Sequence, residues 1–381
     1  MTVGRAAALL LLATAAIAAA DLRSTVTIDA RMNAVSHPEE SVWLGSGGSA
    51  RLDLAATGNR SVRGQLRISA DLHLPPAAPG AAGSDRDHLV TSLGVERAFI
   101  RARLPGFRLT AGKTRLSWGR GRFFNAGDIL FGQNPGFSSG AGEYLTATDW
   151  LVAAYVPVDL RSFLEAVVLP PPLPARLADT AAGARAVIRI GELTSEAGYL
   201  FGPDSGTSTQ REHRAFVSLK GALAGVDWHL SAGSALPADG GPDLREAAQD
   251  RLFVTAGGFG FVDLGPESGL LNVRLEAGVR PWRSWQEQSG TPSALDRYGL
   301  YLFPEVGFAP ADNWNLSLSG VISPIDGSAV TAAGASWNIL QGLTFSLYVS
   351  AMLGDADDTF AWDRAGSLAA TLGARFVFGS S

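Results

Sequence analysis

The chain has no cysteine. That excludes a disulfide framework, a thiolate metal centre and lipid attachment through a thioether. Lysine is almost missing too: Lys113 and Lys220 are the only two, so nearly all positive charge is arginine. The net charge of -5 argues against a nucleic-acid partner. There are five histidines and neither a G-x-S-x-G nor an H-E-x-x-H motif, so the usual nucleophile-elbow and zinc-protease arrangements are absent. His73 with Asp71, and His229 with Asp227, read as ordinary polar pairs on strands. No enzyme activity, catalytic residue, metal or cofactor is expected. The last absence is the most telling. Beyond residue 20 no apolar run approaches the ~18 residues a membrane-spanning helix needs. Yet mean hydropathy is +0.12, with Gly 45, Pro 20 and Trp 9. Such hydrophobicity must be spread as alternation.

Alternation is plainest at the C-terminus. From Gly366 to Phe378, Leu368, Ala370, Leu372, Ala374, Phe376 and Phe378 share one face. Ser367, Ala369, Thr371, Gly373 and Arg375 share the other. Side chains of a strand point to opposite sides in turn. An apolar face toward lipid and a polar face toward a lumen mark a transmembrane barrel strand. The same pattern runs through Leu22 to Ala34, Ala50 to Ala56 and Val62 to Leu74. It returns at 93–104, 107–118, 148–156, 162–169, 182–190, 194–201, 213–223, 226–236, 250–262, 269–281, 298–309, 313–323, 329–338, 342–353 and 366–378. The expected fold is all-β: a transmembrane antiparallel up-and-down barrel of about 18 strands, with 16 or 14 as alternatives. Short connections such as Pro105-Gly106 and Ala224-Gly225 alternate with long ones such as 75–91 and 119–147. Short periplasmic turns, long outer loops and an even strand number belong together in such barrels. Two places blur the pattern, 250–262 with its glycines and 111–118, and a bulge is plausible at either.

Aromatic residues are expected in two bands, as amphipathic rings favour both membrane interfaces. Phe107, Trp228, Trp314, Trp337 and Phe378 fall near the periplasmic rim; Trp118, Trp150, Phe201, Trp282 and Tyr298 fall near the outer rim. At the N-terminus, Arg5 precedes the apolar run Ala6 to Ala19, and Ala18-Ala19-Ala20 precedes Asp21. This reads as a cleaved secretory signal peptide over 1–20, leaving 21–381 as the barrel. A strand closing on Phe378 resembles the signal by which the barrel-assembly machinery recognises outer-membrane proteins, although Gly379, Ser380 and Ser381 follow it.

About 18 strands enclose too wide a lumen for side chains to fill, so an aqueous channel is expected. Its candidate lining is Arg31, Arg51, Arg63, Arg67, Arg101, Arg103 and Arg108, with Asp29, Asp53 and Asp71 among them. The remaining wall is mixed: Asp149, Glu165, Arg185, Arg189, Glu196, Lys220, Asp227, Arg274, Glu276 and Arg375. Two readings stand side by side. Like charges lining a pore set its selectivity, which gives a weak anion preference; or the arginines pair with neighbouring carboxylates and hold the strands together.

The longest connection follows a distinctive stretch. Glu96, Arg97, Phe99, Gly112, Trp118, Gly119, Asn125 and Asp128 resemble a segment of several porin-like outer-membrane families of bacteria. Gly119 and Gly121 can take backbone angles through which a strand does not extend. Arg120 and Arg122 are then expected near Asp128. The resemblance implies that this loop, with Arg120, Arg122 and Asp128 at its root, folds inward and narrows the pore; an ordinary surface loop is the alternative. The function expected is a channel for passive diffusion of small hydrophilic solutes across the outer membrane. The alternative is a structural or adhesive surface protein acting through its outer loops. Expected partners are outer-membrane lipid, the assembly machinery and small solutes, with homo-oligomerisation left open.

Overall fold

A computed structural model describes residues 22–36, 42–56, 61–77, 90–131, 147–171, 179–203, 211–238, 245, 251–265, 269–281, 299–363 and 366–380. The expected leader, 1–20, lies outside the described residues, as do Trp282 and Tyr298 of the expected outer aromatic band. Eighteen strands follow one another. They are β1 Leu22–Ser36, β2 Val42–Ala56, β3 Val62–Ala77, β4 Val90–Leu104, β5 Phe107–Thr114 and β6 Asp149–Pro157. Then come β7 Phe163–Leu169, β8 Ala181–Ile190, β9 Leu193–Pro203, β10 Arg211–Leu223, β11 Val226–Pro237 and β12 Phe253–Asp263. The last six are β13 Leu270–Val279, β14 Leu300–Ala311, β15 Trp314–Ile322, β16 Ala329–Leu340, β17 Leu343–Leu353 and β18 Leu368–Ser380.

Each strand pairs antiparallel with the next, and β1 pairs with β18, so the sheet closes on itself and no edge is left unpaired. Register keeps the two faces in phase. Ile28 sits opposite Phe376 and Asp29 opposite Arg375. Outward positions are apolar and open: Met32 is 63% exposed, Leu93 80% and Leu372 54%. A soluble protein does not display so many large apolar side chains over its whole girth. Short turns close one end. At Ala224-Gly225 both residues have positive φ, 51° and 80°, the hairpin geometry whose twist matches the flanking strands.

Two expected features differ. The register of β12 runs without interruption against β11 and β13, so 253–262 holds no bulge; its glycines only blur the side-chain pattern. The fifth strand ends at Thr114 rather than 118, where the chain turns inward. The extra residue of this region sits one strand earlier. Arg67 pairs with Arg97 and Ile68 with Val95, which leaves Glu96 as the bulged residue of β4. Further register shifts lie in β2–β3, β14–β15 and β16–β17.

The aromatic bands are partly as expected. Trp314 and Trp337 stack at 5.4 Å beside the short-turn end, and Tyr199 and Phe201 lie toward the other. Trp118 is a correction: it is fully buried inside the barrel, because the loop that carries it folds inward.

Candidate functional site: a loop folded onto the inner wall

After Thr114 the chain leaves the sheet and lays residues 115–131 along the inward faces of β6 to β16. The sequence at those inward positions explains why. Leu151, Ala153, Val167, Leu169, Leu200 and Phe216 form an apolar patch where a wet lumen wall would be polar, and Leu116, Trp118, Ile129 and Leu130 cover it. Further round, Phe253, Tyr301, Phe303, Val321 and Val330 receive Phe123, Phe124 and Ala126. Phe123 stacks on Phe303 with ring centroids 4.2 Å apart and meets Phe124 edge-on at 4.9 Å. Removing these apolar surfaces from water stabilises the inward position, at roughly 25 cal/mol per Å² buried.

A loop buried this way must satisfy its backbone donors. Glutamates on the wall do so. Glu276 of β13 accepts the amides of Arg122, Phe123 and Phe124 at 2.8, 2.8 and 2.9 Å. Glu196 of β9 accepts the Gly119 amide at 3.0 Å, and Glu165 of β7 accepts the Trp118 indole N–H at 3.0 Å. Each carboxylate is also neutralised. Arg185 bridges Glu165 and Glu196 at 2.8 Å each. Arg274 bridges Glu276 and Glu305 at 3.1 Å each. Charges taken out of water persist when paired and hydrogen-bonded like this. Within the loop, the Asn125 side chain donates to the Trp118 carbonyl at 2.9 Å and accepts from the Gly127 amide at 3.0 Å, closing the turn. Gly121 has φ +124°, and a Cβ there would lie 1.9 Å from the Phe124 carbonyl oxygen. Only glycine fits that close approach.

Arg120 and Arg122 do not meet Asp128, as the sequence led us to expect. Arg120 reaches Glu196 at 3.7 Å and Arg122 reaches Glu305 at 3.2 Å. Both guanidinium side chains keep 39% of their surface exposed. Asp128 is buried and pairs with Arg115. Burial pushes its carboxyl up to about 6, against the pull of Arg115; with the guanidinium in direct contact, the ionised form governs near neutral pH. Glu276 faces inward but lies entirely beneath the loop, so it anchors the loop rather than meeting solvent.

Met352 of β17 packs against the second apolar cluster, while among the described residues none of the contacts given above joins 116–131 to β18 or to β1 to β5. Here the expected arginines divide into two groups. Arg51 pairs with Glu96 at 3.1 Å, and Arg67 donates to Asp53 at 2.8 Å. Asp29 takes Arg375 at 2.6 Å, and Asp71 accepts from Ser92 at 3.3 Å. Arg31, Arg63, Arg101, Arg103 and Arg108 pair with no carboxylate among the described residues. The last four converge with Ser61 on a small hollow of about 100 Å³ at the short-turn end. Arg101 stands 5.5 Å from the Phe99 ring centre and Arg108 4.2 Å from that of Tyr155, so ring faces rather than counter-charges orient them.

Sequence reasoning missed Arg115 as the partner of Asp128 and the glutamates as loop anchors. A usable signal existed. Large apolar residues at inward positions of β6, β7, β10 and β14 violate the lumen pattern and imply a covering segment.

Solved structures of the same architecture come from bacterial outer membranes. The OccK8 (OprE) structure of Pseudomonas aeruginosa superposes with TM-score 0.54 at 10% identity, over 95% of this chain and 99% of that one. The fold is the closed barrel of these outer-membrane proteins. OpdK of the same organism, solved with vanillate, gives 0.52 at 10% identity, over 94% and 99%. Wzi, an Escherichia coli outer-membrane protein of group 1 capsule assembly described as a carbohydrate-binding barrel, gives 0.56 at 12%, over 97% and 87%. No family model and no curated protein sequence matches the chain.

Proposed function

We propose that this protein is an outer-membrane channel for passive diffusion of small hydrophilic solutes, with a weak preference for anions. One observation carries the reading. Among the described residues, five of the expected lining arginines on β1 and β3 to β5, Arg31, Arg63, Arg101, Arg103 and Arg108, have no carboxylate partner, and Arg120 and Arg122 of the inward loop keep 39% of their side-chain surface exposed. Lumen charge of one sign concentrates ions of the other sign. Arg31, Arg51, Arg63, Arg67, Arg101, Arg103 and Arg108 with Asp29 and Asp71 form the lining, and residues 115–131 form the constriction. Export through a cleaved leader over 1–20 and recognition of the strand ending near Phe378 by the assembly machinery belong to the same proposal. So does the absence of enzymatic chemistry.

Reversal potentials across planar bilayers test it. The refolded protein should conduct in discrete steps, with anions favoured. Changing Arg63, Arg101 and Arg108 together to Ser should move permeability toward cations. Unchanged selectivity would remove the arginine wall from the mechanism. A second reading, a structural or adhesive surface protein, gains support from the likeness to Wzi. A protein that inserts fully folded and never conducts would favour it.

A further inference from the structure

The outward face carries an interruption that the channel reading leaves unused. Ala154, Ala166, Ala184, Ala186 and Ala197 lie side by side on β6 to β9 and end at Tyr199, lining an open groove of about 570 Å³. That size is within the roughly 300–1,000 Å³ of ordinary ligand sites. Around it the outward residues are large, Leu164 and Ile188 being 51% and 52% exposed. The groove is therefore a trough in an otherwise bulky lipid-facing girdle.

A polar cluster closes the trough toward the long-loop end. The Tyr199 hydroxyl is hydrogen-bonded to His213 Nδ1 at 2.6 Å. His213 is the cross-strand partner of Phe201. The Arg211 guanidinium lies 4.4 Å from the Phe201 ring centre. Its only hydrogen bond among the described residues is a long one, 3.4 Å, to the Thr180 carbonyl, and its Nε has none. These four residues are on the outward face, since their neighbours Glu212, Leu200 and Phe216 are buried inside. An arginine and a histidine on aromatic faces, toward the long-loop end of the barrel, offer the donors that a phosphate takes.

We infer that this face binds one phosphorylated lipid of the leaflet at the long-loop end. An acyl chain fills the alanine trough, and the headgroup phosphate sits on Arg211, His213 and the Tyr199 hydroxyl. The two parts suit one amphiphile: an apolar trough continuous with a basic, hydrogen-bonding cap. A second copy of the chain would satisfy the trough but bring no anion to the cap. The inference rests on the outer-membrane reading but not on channel activity.

The test is lipid retention by native mass spectrometry of the full-length folded barrel, titrated with lipid A, with the same lipid lacking phosphates, and with inorganic phosphate. Wild type should hold lipid A at least about tenfold more tightly than the dephosphorylated form. Arg211→Ala with His213→Ala should remove that difference. Ala184→Leu, which fills the trough from the lipid side, should weaken both lipids and leave conductance unchanged. Equal retention of both lipids by wild type would overturn the headgroup site. Inorganic phosphate displacing the lipid at equal concentration would show a free-anion site instead. If Ala184→Leu changed only the oligomeric state, the trough would be an interface between copies and the proposal would fail.

Discussion

Glu276→Gln isolates what holds the loop inside the barrel. The substitution keeps the shape of the side chain but removes the charge that two rows of donors share. Three loop amides and the Arg274 guanidinium converge on the two carboxylate oxygens. A glutamine offers one acceptor oxygen and turns an NH2 group toward donors. Breaking a buried, hydrogen-bonded charge pair from one side costs about 3–5 kcal/mol. None of that falls on the inter-strand ladder, because residue 276 keeps its backbone pairing with Gly257 and Phe303. The loss falls on the equilibrium between docked and undocked loop. Amide exchange at Arg122, Phe123 and Phe124 should therefore accelerate by about two to four orders of magnitude, at ~1.4 kcal/mol per tenfold. Exchange in the strands should not change, and single-channel conductance should rise as the loop leaves the lumen. Unaltered protection of those three amides in a correctly folded variant would refute the anchoring role, and the apolar clusters alone would have to hold the loop.

Replacing Leu372 with Arg should cost ~2–4 kcal/mol in a lipid-refolding titration, because it puts a charge on the lipid face; Thr371→Ser, which keeps its hydroxyl bond to Asn33 on the inner face, should stay within ~0.5 kcal/mol. Arg120→Ala with Arg122→Ala should shift ion selectivity more than Arg161→Ala in an exposed short turn, since charges beyond ~8–10 Å from the ion path are largely screened; equal shifts would place the two loop arginines off the path. Asp326 pins the 323–328 connection to Thr359: burial raises its pKa, but bonds from the Thr359 hydroxyl and amide and from Ser323 and Ser328 outweigh that and bring it to about 2. Its folded value thus lies below the unfolded value of about 3.9, so the stability it contributes is present above about pH 4 and is lost as pH falls through about 2. Exchange of the Thr359 amide should show that acid loss in wild type and not in Asp326→Asn.

The barrel was legible in the sequence because lipid on one side and water on the other leave a period-two mark on each strand, as at Leu368 to Phe378. Strand boundaries were legible where a turn residue stops the alternation, as at Pro105-Gly106. They failed at 115–118, where Leu116 and Trp118 continue an apolar alternation after the backbone has left the sheet. The apolar residues there are buried by the far wall rather than by lipid, and period alone does not distinguish the two. The pairing of Arg120 and Arg122 was misread for a related reason. Proximity in sequence to Asp128 was taken as proximity in space, whereas Glu196 and Glu305 come from strands 76 and 183 residues beyond these arginines. The split among the lining arginines depends on the Glu96 bulge. It turns one carboxylate toward Arg51 and Arg67, and an alternating pattern does not reveal a one-residue insertion.

The placement of charge follows from the need to bury a loop. Residues 118–124 carry backbone and indole donors into a dry cleft, and only carboxylates on the wall satisfy several at once. Glu165, Glu196 and Glu276 fill that role, and Glu305 completes the network through Arg274 and Arg122. Burial then requires counter-charges, which Arg185 and Arg274 supply from the same side. Where the loop docks, charge is in this way balanced locally: Glu165, Glu196 and Glu276 take the loop's donors, and Arg185 and Arg274 compensate them. On β18 and β1 to β5, Glu96, Asp53 and Asp29 neutralise Arg51, Arg67 and Arg375, while Arg31, Arg63, Arg101, Arg103 and Arg108 pair with no carboxylate among the described residues. On the proposed channel reading, where the loop docks would therefore set the sign of the lumen, and moving the loop off Glu276 would change both the width of the passage and its charge.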